Sequence, residues 1–142
     1  MVANMSEETN FNQRIIDEFH ANAGVVGGYF AGRTLLLLHT IGAKSQQKRV
    51  NPLVYIRDND RFVIIASKGG ADTHPDWYYN LRAHPQVTIE VGTETLQAQA
   101  VIAEEPERTQ LYSNVEASMA TFTEYRLKAK RTIPVVVLTM LG

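Results

Sequence analysis

Asn51 to Ser67 reads NPLVYIRDNDRFVIIAS, and its reading decides the fold. Two apolar runs, Asn51 to Arg57 and Arg61 to Ser67, flank the turn residues Asp58-Asn59-Asp60. So short a polar connection joins neighbouring strands antiparallel, because parallel strands need a crossover of about a dozen residues or more. Upstream, Thr34 to Thr40 (TLLLLHT) reads as a buried strand. Downstream, Gln86 to Val91 alternates, turns at Gly92-Thr93-Glu94 and returns as Thr95 to Ala103, and Ile133 to Thr139 closes the set. Phe11, Ile15, Ile16 and Phe19 recur at helical spacing and predict an amphipathic helix that ends before Gly24. Shorter helices are expected over Pro75 to Ala83, Glu104 to Ser118 and Thr121 to Lys130. The strands are joined mostly by hairpins rather than in strict β-α-β alternation. That argues against a Rossmann sheet and for an α+β fold, mainly β, built on a small antiparallel barrel that hides its strand edges.

The 142 residues suit a single domain over 1–142, and the polarity of residues 1–10 predicts a disordered tail. A net charge of −1 exerts no global pull on nucleic acid. With no cysteine there is no disulfide, thiolate metal site or cysteine nucleophile, which fits a reducing cytoplasm. The acidic stretch Met5 to Thr9 does not read as a secretory signal, and apolar runs such as Leu35 to Leu38 are too short to span a bilayer. The helix from Phe11 is a candidate for peripheral membrane contact, opposed by Asp17, Glu18 and the absence of lysine there. The four histidines show no metal-ligand spacing and no evident carboxylate partner, so no metal is expected.

Three stretches could carry chemistry. Gly42 to Arg49 holds Lys44, Lys48 and Arg49 between two strands, a composition suited to a phosphate or carboxylate, or to a solvated hairpin tip. It is not a nucleotide-triphosphate loop, since the upstream glycines are missing and no helix follows. Ala66-Ser67-Lys68-Gly69-Gly70 ends a strand in a hydroxyl, a cation and two glycines, where a backbone can approach a ligand closely. Pro75-Asp76-Trp77-Tyr78-Tyr79-Asn80-Leu81 offers aromatic faces that either pack in the core or stack on a planar ring.

Taken together and in order, these residues resemble the deazaflavin-dependent nitroreductase family, which uses coenzyme F420. The resemblance runs through Gly42-x-Lys44-Ser45-x-x-x-Arg49-Val50-Asn51-Pro52-Leu53, Ala66 to Gly70, His74-Pro75-x-Trp77-Tyr78-x-Asn80-Leu81 and Arg131-Thr132-Ile133-Pro134-Val135. It implies a split β-barrel like those that bind FMN. It also implies an oxidoreductase that passes a hydride from reduced F420 to a hydrophobic acceptor, a quinone or a nitroaromatic compound. Lys44, Ser45 and Arg49 would hold the phosphate and tail, while Asn51 and Pro52 line the ring pocket. Ala66, Ser67, Lys68 and Gly69 would wrap the cofactor, with Pro75, Trp77, Tyr78 and Asn80 contributing from the short helix. Ser67 and Tyr125 would donate to the acceptor oxygen, and Met119 and Phe122 would complete its pocket.

Two departures follow from the same resemblance. Gln46 follows Ser45 where such loops usually read glycine. Met119 and Phe122 stand where tyrosines are expected, which makes the acceptor pocket more apolar and favours quinones over compact nitro compounds. A non-catalytic F420-binding protein, an FMN enzyme of the same fold and a homodimer are the alternatives that the resemblance leaves open.

Overall fold

The computed structural model describes residues 2–141, without the side chains of residues 2–9 and Tyr29. Of residues 1–10, expected to form a disordered tail, Met1 lies outside the described residues and 2–10 are the start of the first helix. The chain runs α1 (Val2–Ala21), β1 (Leu35–Ile41), β2 (Lys48–Val54), β3 (Ile56–Asp58), β4 (Arg61–Ile65), α2 (Asp76–Ala83), β5 (Gln86–Val91), β6 (Glu94–Ile102), α3 (Glu107–Ser118), α4 (Thr121–Lys128) and β7 (Val135–Met140).

All strand pairs are antiparallel, in the order β2-β1-β5-β6-β7-β4-β3. β2 and β3 therefore lie at opposite edges, yet Tyr55 alone separates them in the chain. A flat sheet cannot satisfy both facts, so the sheet curls until its edges approach, which is the split barrel. The single strand expected over Asn51 to Arg57 is accordingly broken at Tyr55, whose N–H donates to the Thr34 carbonyl at 3.2 Å. β2 also starts earlier than expected. Pairing of Ile41 with Lys48 and of Thr40 with Arg49 draws two of the three cations of the Gly42 to Arg49 stretch out of the loop and into the strand. Pro52, which cannot donate to a ladder, sits on this edge strand, where one side needs no partner.

The apolar runs lack alternation because both faces of their strands are covered. Leu36 and Leu38 of β1 and Phe62 and Ile64 of β4 fill the barrel. Leu35 and Leu37 pack outward with Ile15 and Phe19 of α1, and Val63 and Ile65 pack outward with Leu111, Val115 and Phe122 of α3 and α4. Ile15 and Phe19 of α1 are thus buried against β1 rather than offered to a membrane, and no described helix is long and apolar enough to cross one.

α1 is also tied down by charge. Glu90 of β5 accepts from His39 Nε2 at 2.6 Å and from His20 Nε2 at 2.8 Å. Burial pushes the Glu90 carboxyl up, but the two histidine hydrogen bonds outweigh it and leave the group below its ordinary range. The expectation that no histidine has a carboxylate partner is thereby corrected. Glu90 lies far along the chain, and antiparallel pairing of β5 with β1 places it beside His39.

α2 plugs the barrel with Trp77, Tyr78 and Leu81. Its Asn80 accepts from the Ala43 N–H at 2.9 Å and donates to Thr40 Oγ1 at 3.3 Å, fastening the β1–β2 hairpin to the helix.

Candidate functional site

A cavity of about 460 Å³ opens where the barrel meets its outer helices. Pro52, Leu53 and Val54 of β2 form one wall, and Ile65 with the turn Ser67-Lys68-Gly69 forms the next. Pro75 and Trp77 enter from α2, Thr121, Phe122 and Tyr125 from α4 with the preceding Met119, and Phe30 and Arg33 from the loop after α1. The size and the mostly apolar lining with a few polar groups suit a small planar ligand.

Ser67, Lys68 and Gly69 come from one unusual turn. Ser67 is right-handed (φ −81°, ψ −35°), whereas Lys68, Gly69 and Gly70 are left-handed at φ 48°, 64° and 85°. This change of hand turns successive N–H groups to one side and forms a concavity that favours anions. The two glycines serve different ends. A Cβ on Gly69 would meet nothing within 4 Å, so that position is open toward the cavity. A Cβ on Gly70 would come within 3.1 Å of the Tyr125 backbone, so Gly70 lets α4 close onto the turn. Lys68, a side-chain-bearing residue in a conformation suited to glycine, must be held there by its surroundings.

The holding group is Arg131. Its guanidinium donates to the carbonyls of Ala66 (3.2 Å), Ser67 (3.0 Å) and Ala71 (2.9 Å) and to His74 Nδ1 (2.9 Å). Because arginine only donates, His74 Nδ1 accepts and the ring is neutral. Burial, then the charges of Arg131 and Arg82, hold His74 below the ordinary 6.5. α4 is fixed from behind by Tyr112, whose hydroxyl donates to the Phe122 carbonyl at 2.7 Å and is pushed up to about 12 by burial and then by Glu116.

The structure brings Pro52, Ser67, Lys68, Gly69, Pro75, Trp77, Met119, Phe122 and Tyr125 to this one cavity. Trp77 is at once core and wall, since it is 5% exposed and still borders the space. Ala66 and Tyr78 lie in the barrel core behind it. Lys44, Ser45, Arg49 and Asn51 do not line it. They belong to the β1–β2 hairpin, where Ser45 Oγ accepts from the Gln47 N–H at 3.2 Å. Asn80 points to that hairpin and not to the cavity.

A family model described as F420H(2)-dependent quinone reductase matches residues 12–140. The chain belongs to that family. It is 45% identical over 107 residues to an F420H(2)-dependent quinone reductase of Mycobacterium tuberculosis, covering 73% of this chain and 72% of the relative. Among solved structures, it is similar to an F420-H2 dependent reductase (FDR-A) at 34% identity and a TM-score of 0.69, covering 79% of this chain and 99% of that one. The heme storage protein HutZ of Vibrio cholerae shares the fold at 17% identity and a TM-score of 0.60, with 78% and 84% covered.

Within this F420H(2)-dependent quinone reductase fold, sequence reading missed Phe30 and Arg33 as cavity residues, and it placed no role on Arg131. The first two lie in a loop flanked by glycines with no periodic pattern, so their only signal was an aromatic and a cation in an otherwise small-residue stretch. Arg131 gave little local signal, because it ends a cationic run, Lys128-Ala129-Lys130-Arg131, that reads as a solvated approach to the last strand.

Proposed function

We propose that this member of the F420H(2)-dependent quinone reductase family binds reduced F420 and reduces a hydrophobic quinone. The observation that supports it is the joining, in one cavity, of an amide-lined cationic turn (Ser67, Lys68, Gly69) to apolar walls from β2, α2 and α4. The site fits a flat anionic cofactor beside a flat acceptor. Bound reduced F420 supplies a hydride, so the protein's task is to bind, orient and exclude water. Trp77, Met119 and Phe122 provide the dry wall, each no more than 7% exposed. Ser67 and Tyr125 border the same space, and their hydroxyls would donate to a quinone oxygen as charge develops on it. Lys68 adds a positive field at the turn.

We assign the phosphate and tail of the cofactor to Lys44, Ser45 and Arg49 on the hairpin that Asn80 fastens. The apolar Met119 and Phe122 favour quinones over compact nitro compounds.

A fluorescence titration with F420, and with FMN in parallel, tests the cofactor. Micromolar or tighter binding of F420 alone is expected, followed by oxidation of reduced F420 by menadione faster than by a nitroimidazole. Binding without turnover of any acceptor would leave a sequestering protein, and preferential binding of FMN would overturn the assignment.

A further inference from the structure

A second cavity of about 550 Å³ opens at the β2–β3 bend, beside the start of β1 and the end of α3. It shares Arg33 and Met119 with the first cavity, so the two adjoin. Arg33 and Arg57 reach it together with Tyr55, Asn114 and Ser118, and no acidic side chain lines it. Among the described residues neither arginine carries an ion pair. The Arg57 guanidinium is held with its carbon 4.5 Å from the Phe62 ring centre, a stacking that leaves its N–H edge for a ligand. Asn114 and Ser118 lie one turn apart and share a helix face. The cavity is thus rich in donors and poor in negative charge.

Its position gives it a meaning. β1 and β2 carry basic groups at both ends. Lys44 and Arg49 lie at the hairpin, and Arg33 and Arg57 lie just beyond the other end, roughly 20 Å along a seven-residue strand. The first cavity lies on the β2 half nearer Arg57, at Pro52 to Val54. The second cavity touches Met119, on the acceptor side, and none of Ser67, Lys68, Gly69 or Trp77.

We propose that the second cavity is an anion subsite for the acceptor, taking a carboxylate or phosphate tethered to a ring that occupies the first cavity. This rests on the F420-dependent reading above and adds an acceptor class to it, namely amphiphilic quinones with an acidic arm.

The test uses a naphthoquinone bearing a carboxyalkyl chain and its methyl ester, with reduced F420 as donor. Wild type should prefer the acid. The acid-to-ester ratio of kcat/KM should fall about tenfold in Arg57→Ala, the loss of one charge-assisted contact, and similarly in Asn114→Asp, which places a negative charge in the cavity without changing its volume. F420 affinity by fluorescence should be unmoved in both. A ratio unchanged in both variants would mean two solvated arginines and overturn the proposal. Weaker F420 binding in Arg57→Ala would overturn it differently, by assigning the cavity to the cofactor's tail. A wild type that binds no F420 would overturn the underlying reading itself.

Discussion

The hairpin at Gly42 to Gln47 and the turn at Ser67 to Gly70 look alike in sequence, since each combines glycine, serine and lysine at the end of a buried strand. Each also bends through left-handed backbone, at Gln46 (φ 61°) and at Lys68 (φ 48°). They differ in what braces them. The hairpin is fastened from one side by a neutral amide, Asn80. The turn is gripped by a guanidinium from the strand-approach segment and pressed by α4 at Gly70. The turn therefore forms a fixed wall of the ring cavity, while the hairpin is a tethered arm outside it. Composition sets what a loop could bind, and bracing sets how accurately it can do so.

The comparison breaks most visibly at Arg131. Arg131→Ala strips donors from three carbonyls at once and should cost about 3 kcal/mol of stability, with a large loss of F420 affinity. Arg131→Lys should recover little, because one ammonium cannot fork to three carbonyls. Denaturant unfolding read beside an F420 titration checks both, and an Arg131→Ala variant with wild-type affinity would show that the turn keeps its shape unaided. Asn80→Ala should cost about 2 kcal/mol, by leaving the Ala43 N–H and the Thr40 hydroxyl short of partners. Its effect on F420 affinity should be smaller than that of Arg131→Ala, because only the arm is loosened. Equal losses of affinity would erase the distinction between the two loops.

A third probe acts through His74, which shares the Arg131 brace. Its folded pKa lies below the 6.5 of the unfolded chain, so the unfolded state takes up the proton first as pH falls. The stability contributed by the neutral ring is complete above pH 6.5 and is lost as pH falls from there through the depressed value. The depressed carboxylates Glu90, Glu105 and Glu116 titrate below 4.5, so they act in a lower window. In His74→Gln, whose side-chain oxygen can still accept from Arg131, Tm should flatten between pH 6.5 and the carboxylate range. A decline as steep as in wild type would assign the slope to another group.

Much of the fold was legible because its signals are local. Asp58-Asn59-Asp60 and Gly92-Thr93 place two hairpins directly, and the doubly buried runs mark strands covered on both faces. Local signals cannot carry distance. Nothing near Glu90 announces His20 and His39, and nothing near Asn51 to Arg57 announces that closing the barrel breaks the strand at Tyr55. The site behaved in the same way. The motif residues Ser67, Lys68, Gly69 and Trp77 were visible as residue types, but Asn80 looked equally like a ligand group. Only the fold shows that it faces a hairpin amide. Phe30 and Arg33 reach the cavity through a loop with no pattern of its own.

The smallest expected effect sharpens the comparison at the backbone itself. Gln46 holds a left-handed conformation that favours glycine, and no brace like Arg131 presses on it. The strain should therefore be relieved by Gln46→Gly, which offsets glycine's extra unfolded-state entropy and leaves a gain of about 0.5 kcal/mol. At Lys68 the same substitution also removes a charge and the bond from Nζ to Thr73 Oγ1 at 3.3 Å, so relief of strain should be masked there by weaker F420 binding. Unfolding and binding measured on both variants separate the two cases. If Gln46→Gly also weakened F420 binding, the Gln46 side chain would be a ligand group, and the hairpin would be a binding wall in its own right.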